Sequence, residues 1–304
     1  MHETILQAIA RHQLPADFVD TIRMAYLPVV AEIAARSKAR QPALLMGLQG
    51  CQGSGKSTMA EFLQLLLAAE HELKAVVLSI DDFYLTLSER QQLAAEVHPL
   101  LLTRGVPGTH DVSMAVVTLK QLQALKTGES CSLVSFNKAI DDRANQQDWP
   151  QVQGPIDVII LEGWCIAMPP QAATDLTTPM NELEKNEDAD GCWRQYVNQQ
   201  LQDGYADLFA MLDFLAVLEA PSFECVYGWR KLQEQKLAER LKNAPAEKKA
   251  KLLGPSELAR FIAHYQRLTE HGLKHLAEQA NFVITLDSDH VVDRVVSHAK
   301  KRQV

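Results

Sequence analysis

The apolar positions of this chain follow two patterns that alternate along it. Short, nearly continuous apolar runs occur at residues 43–46 (ALLM), 75–80 (AVVLSI), 156–161 (IDVIIL), 213–219 (DFLAVLE) and 281–286 (NFVITL). Runs of that length with no polar alternation predict strands buried on both faces of a parallel sheet. Between them the apolar residues recur at helical spacing. In 58–69 they are Met59, Phe62, Leu63, Leu66 and Leu67, and further helices are predicted over 88–95, 113–126, 193–211, 223–242 and 257–280. Ser88 and Gln91 have the spacing of a capping box, and Gly128 follows the third of these helices as a stop. Residues 132–136 predict a short strand, 169–191 a polar, partly acidic stretch that begins as a loop, and 290–302 a closing helix. The first 38 residues predict one helix before Leu14-Pro15 and a second over 17–38, bent at Leu27-Pro28. Strands alternating with helices imply an α/β fold, a parallel sheet with helices on both faces. No internal repeat interrupts it.

The first strand runs into Gly50-Cys51-Gln52-Gly53-Ser54-Gly55-Lys56-Ser57-Thr58, which satisfies the pattern G-x-x-x-x-G-K-[ST] at every fixed position. The chemistry requires these residue types. Glycines allow backbone angles that turn successive N–H groups toward one anion, and the helix behind them adds the positive end of its dipole. Lys56 is expected at the β- and γ-phosphates and the Ser57 hydroxyl on Mg²⁺. The chain is therefore expected to bind ATP with Mg²⁺.

In an open parallel sheet ligands sit beyond the carboxyl ends of the strands, so the residues that follow each apolar run carry the information. Besides the phosphate loop they are Asp81-Asp82, Asn137-Lys138 and Glu162. Glu162 stands where an acid holds the magnesium shell, and Asp81 where a general base could take a hydroxyl proton, with Asp82 as its rival. A GTPase reading fails, because Phe136-Asn137-Lys138 is followed by Ile140 where the guanine-reading motif needs an acid.

Composition narrows the partners. In 304 residues, 47% apolar and 22% charged, the formal charge is −8, which argues against a nucleic-acid partner. The five cysteines are scattered without a CxxC pair, as in a cytoplasmic protein with reduced thiols, and no apolar stretch has membrane-spanning length. The N-terminal residues do not read as a signal peptide. Against this acidic background, residues 230–251 carry eight basic and three acidic side chains. That segment reads either as a solvated helix face or as a lid that closes cations over a triphosphate. His271 and His275, one turn apart, lack the third ligand a metal site needs.

Taken together, GCQGSGKST, LSIDDFYLT, RGVPGTHD, FNKAIDDRA followed by WPQVQGP, LEGW and YGWR resemble the D-glycerate 3-kinase family, within the phosphoribulokinase, uridine kinase and pantothenate kinase group. The resemblance runs from about Leu44 to Asp287. It implies a P-loop NTPase three-layer sandwich in one kinase domain spanning 1–304: an N-terminal helical extension over 1–40, a nucleotide-binding core over 41–304 and a helical lid at about 228–255. It implies an ATP-dependent kinase acting on a hydroxyl of a small hydroxy acid, D-glycerate first, with Asp81 as base, Glu162 on the magnesium shell and Arg230 as the lid arginine. Asp82, Tyr84, Arg104, His110, Asp111, Lys138 and Arg143 become the candidates for holding the substrate, its carboxylate favouring an arginine. Two alternatives stay open: a kinase of a nucleoside or pantothenate-like alcohol, and a non-catalytic ATP-binding regulator. Oligomeric state is not encoded in any of these motifs.

Overall fold

A computed structural model describes residues 2–38, 42–240 and 254–298. Its centre is a six-stranded sheet in the order β10-β9-β8-β1-β7-β2. Strand β1 (Leu44–Gly50) lies between β7 (Val158–Gly163) and β8 (Phe214–Glu219), with β2 (Ala75–Ser79) outside β7 and β9 (Phe282–Leu286) outside β8, all parallel. Alternation along β1 divides the molecule. Leu44, Met46 and Leu48 join one core with the N-terminal helices and Phe62, while Leu45 joins a second with Leu119, Tyr205 and Leu208. Two helical layers thus cover one buried sheet, as continuous apolar strands require.

At the N-terminus, α1 (Glu3–Arg11) and α2 (Phe18–Thr21) precede a π-helical segment, Ile22–Tyr26, that leads into α3 (Leu27–Lys38). The expected bend at Pro28 is absorbed by this wider register, which accommodates a residue that lacks an N–H and crowds the carbonyl four residues back. Helix α4 (Lys56–His71) follows the phosphate loop. The capping box of α5 (Leu87–Glu96) is made by Thr86 and Glu89 rather than Ser88 and Gln91, because the helix starts one residue earlier than its apolar pattern suggests. Helix α6 is Val112–Ala124, capped by the Asp111 carboxylate.

Two expectations are corrected. The strand expected at 132–136 is not in the main sheet. Ser130–Ser132 (β3) pairs with Gln151–Gln153 (β6), while Phe136–Asn137 (β4) and Asp142–Arg143 (β5) form a small hairpin. The closing helix expected over 290–302 is, as far as 298, an antiparallel edge strand, β10 (Val292–Ser297). The Asp287 carboxylate accepts from the Asp289 and Val291 amides and His290 takes φ 67°, turning the chain back. The β-branched Val295 and Val296 then pair with Ile284 and Val283, which suits them better than a helix would.

The polar stretch 169–191 later forms α7 (Glu182–Glu187), whose buried Glu184 pairs with Arg267 at 2.6 Å. The helix expected over 193–211 breaks at Asp203 into α8 (Cys192–Gln202) and α9 (Gly204–Ala210). Helix α10 (Phe223–Arg240) and α11 (Pro255–His275) flank residues 241–253. That stretch holds nearly half of the lid expected at 228–255, including Lys242, Lys248, Lys249 and Lys251, and lies outside the described residues. Among the described residues no helix is long and apolar enough to cross a membrane.

Candidate active site

The phosphate loop leaves β1 with Gly53 at φ 82° and Gly55 at φ 89°, and α4 begins at Lys56. A Cβ on Gly53 would stand 2.8 Å from Trp229 of α10, so this position is closed to side chains on two counts. The Gly53 carbonyl lies 2.7 Å from His290 Nε2, and the His290 ring stacks on Trp229 at 4.2 Å, tying the loop to both α10 and the last β-turn. Ser54 Oγ is buried without a hydrogen-bond partner. Burial pushes the Cys51 thiol up to about 12, Lys56 opposing, so Cys51 packs as an apolar residue.

Registry puts the carboxylates beside this loop. Leu48 of β1 pairs with Glu162 of β7, and Glu162 with Ser79 of β2, so Glu162 and the Asp81 turn emerge at the same sheet edge. Ser57 Oγ donates to Glu162 Oε1 at 2.8 Å; Glu162 Oε2 accepts no hydrogen bond and lies 4.0 Å from Lys56 Nζ. A hydroxyl and a carboxylate with an orphaned oxygen are hard donors that fit Mg²⁺.

Asp81 sits in a short 3₁₀ turn, Ile80–Phe83, held by the Ser79 hydroxyl. Its Oδ1 accepts from Tyr84 OH at 2.8 Å and its Oδ2 from Lys138 Nζ at 2.7 Å. Burial pushes the carboxyl up, yet Lys138 and Lys56 overcome this and hold it down to about 2. The neighbouring Asp82 points elsewhere and accepts from the Phe136 amide at 3.3 Å; burial leaves its carboxyl raised.

The loop, Asp81 and several cations open onto one cavity of about 330 Å³. Of the sequence-derived candidates, Gln52, Gly53, Lys56, Asp81, Tyr84, Arg104, Lys138 and Arg230 line it. Arg104 pairs with Asp141, with its guanidinium 5.5 Å over the Phe136 ring, and Arg230 pairs with Glu234 and lies 5.6 Å over Phe261. Asp82, His110, Asp111 and Arg143 do not line it; they build the wall behind. His110 stacks on Tyr84 at 4.5 Å with Nδ1 against Tyr205 OH, and burial, opposed by Asp81, pulls its ring down to about 4. Asp111 caps α6, and Arg143 donates to the Tyr84 carbonyl at 3.3 Å and to Asp111 at 3.4 Å.

Sequence reasoning missed four lining residues, Trp164, Gln233, Phe261 and Tyr265. Trp164 was within reach, since it follows Glu162. It donates to the Gly105 carbonyl at 2.9 Å and packs edge-on to Tyr265, whose hydroxyl donates to the Arg104 carbonyl at 3.2 Å. Gly105 has φ 140°, and a Cβ there would fall 2.0 Å from the Tyr265 hydroxyl. Helices α10 and α11 thus both contribute directly to the cavity.

No protein-family model matches the chain. It is 29% identical over 255 residues to the uncharacterized kinase mug58 of Schizosaccharomyces pombe, covering 80% of this chain and 87% of that one. It is 32% identical over 196 residues to the chloroplastic D-glycerate 3-kinase of Arabidopsis thaliana, covering 62% of this chain and 40% of that enzyme. Among solved structures, a D-glycerate 3-kinase from Cryptococcus neoformans superposes with a TM-score of 0.73 at 24% identity, covering 93% of this chain and 99% of that one, a likeness of fold. The phosphate loop, the sheet order and these similarities converge: the chain has a phosphate-loop kinase fold, resembles D-glycerate 3-kinases among other kinases, and is an ATP-dependent phosphotransferase with an alcohol group as acceptor.

Proposed function

We propose that the acceptor is a small hydroxy acid, D-glycerate first, and that Asp81 is the base. The observation that carries this reading is one cavity faced by Lys56, a carboxylate (Asp81) and an arginine that the nucleotide does not need (Arg104). A glycerate carboxylate would take the planar fork of Arg104, which leaves a hydroxyl to reach Asp81. The hydroxyl oxygen attacks the γ-phosphorus in line, its proton passes to Asp81, and the bond to the β-phosphate oxygen breaks to release ADP. Lys56 neutralises charge on the β- and γ-oxygens, and Arg230 does so from the lid side. Mg²⁺, held by Ser57 and Glu162, would supply further neutralisation of the phosphate oxygens. The name of the Arabidopsis relative supports the choice of acid.

The aromatic wall of Trp164, Phe261 and Tyr265 would also suit a nucleoside base, which keeps a second acceptor class in view. Incubating the protein with γ-labelled ATP, Mg²⁺ and an equimolar mixture of D-glycerate, uridine and pantothenate separates the two. Label should enter glycerate. Label in uridine or pantothenate instead would remove the acid from the proposal.

A further inference from the structure

Each oxygen of Asp81 already accepts from one donor, so a substrate hydroxyl must compete with a donor for the base. The two differ in freedom. Tyr84 is 4% exposed and fixed between the stacked His110 ring and Phe136, edge-on at 5.3 Å. Lys138 has a side chain 59% exposed on the turn between β4 and β5. The backbone under it is anchored: Arg90, buried, donates to the Asp141 carbonyl at 2.6 Å, and Asp142 accepts from the Leu87 amide at 3.2 Å. A fixed hairpin therefore carries a free four-carbon stem, and its ammonium lines the same cavity as Arg104.

We propose that Lys138 is a substrate-sensing gate on the base, and therefore a specificity-determining residue. Without an acidic acceptor its ammonium stays on Asp81 Oδ2 and keeps that oxygen from water. An anionic acceptor, bound beside Arg104, draws the ammonium onto its own carboxylate and vacates Oδ2 for its hydroxyl. The carboxylate is thus used twice, for binding and for exposing the base, and uncharged alcohols or water cannot do the second. This rests on the reading of Asp81 as base and of an acid as substrate. The step itself is the transfer already written, with the hydroxyl proton delivered to the vacated oxygen and ADP leaving.

The test uses the full chain with Lys138→Met, which keeps the stem and removes the charge, and Lys138→Arg, which keeps the charge. Three rates are read at saturating ATP: ATP hydrolysis with no acceptor, glycerol phosphorylation and D-glycerate phosphorylation. In Lys138→Met, hydrolysis and glycerol turnover should rise about tenfold as the base gains basicity and access, while kcat/KM for glycerate falls about tenfold or more. Lys138→Arg should keep hydrolysis low. If glycerate efficiency falls and the other two rates stay put, Lys138 is only a carboxylate contact and the gate is wrong. A fall in all three rates also overturns it, because the lysine then serves the phosphates or the fold. If the wild type phosphorylates no hydroxy acid, the glycerate reading fails by itself. The acceptor-free hydrolysis of Lys138→Met still decides whether Lys138 restrains the base.

Discussion

Replacing Arg104 by alanine isolates the contact that would read the acid. Little of the fold depends on this side chain. Its guanidinium is partly exposed, pairs with Asp141 and covers the Phe136 ring, while the backbone beneath is held by Tyr265 at the Arg104 carbonyl and by Thr109 at the Gly105 amide, 3.0 Å. Asp141 keeps Arg90 as a partner at 3.1 Å. The stability cost is then a partly exposed cation–π contact and a partly exposed ion pair, together about 1 kcal/mol, a shift of a few degrees in Tm. The binding cost is larger. Charge-assisted hydrogen bonds between the guanidinium and a substrate carboxylate contribute about 3 kcal/mol, which is about 10²-fold in KM for D-glycerate. The KM for ATP should hardly change, because the cation of the phosphate loop is Lys56 and Arg104 lies outside that loop. Steady-state ADP release with glycerate varied at saturating ATP, then ATP varied at saturating glycerate, beside a melting curve, measures all three. An unchanged glycerate KM, or an equal rise for ATP, would refute the assignment. Arg143 makes the contrast: its guanidinium is spent on Tyr84 and Asp111, so Arg143→Ala should lower Tm rather than raise the glycerate KM selectively.

Three further outcomes follow from the same geometry. Asp81→Asn should retain ATP binding and lose about 10²–10⁴-fold in kcat, whereas Asp82→Asn, which touches the Phe136 amide and not the cavity, should act mainly on Tm; the reverse ranking in initial rates would transfer the role of base to Asp82. Lys56→Ala should abolish turnover with an unchanged circular dichroism spectrum, since the loop's shape comes from its glycines; near-normal rates would end the kinase account. Arg230→Ala should lower kcat more than it raises the KM for ATP, because a lid contact matures in the closed complex; a pure KM effect would mean simple nucleotide binding.

The layers of the fold were legible because buried parallel strands and amphipathic helices write distinct periods, and the phosphate loop because its glycines and lysine are chemically obligatory. Element ends were less so. Thr86 rather than Ser88 caps α5, since caps are chosen by a backbone turn that apolar spacing does not register. The VVDRVV stretch fits a helix or a strand by pattern, and the Asp287 turn decided for the edge strand. At the site, residues directly after a strand were found and residues packed behind them could not be told apart from them. His110 and Asp111 share a motif with Arg104, and Arg143 shares one with Lys138, yet of these only Arg104 and Lys138 reach the cavity, because the others face Tyr84, Tyr205 and the start of α6. Phe261 and Tyr265 left no signal. They come from α11, where an aromatic facing a cavity has the same spacing as one facing the core.

The central claim is that this cavity directs a phosphoryl group from ATP onto a hydroxy acid. The most direct measurement is ³¹P and ¹³C NMR of the product formed from ATP, Mg²⁺ and D-glycerate by the wild type, with Asp81→Asn run alongside. The account predicts stoichiometric ADP and a glycerate phosphoester carrying its phosphoryl group on the 3-hydroxyl, with the variant strongly slowed. ADP accompanied only by inorganic phosphate, or no glycerate-dependent ADP at all, would contradict it.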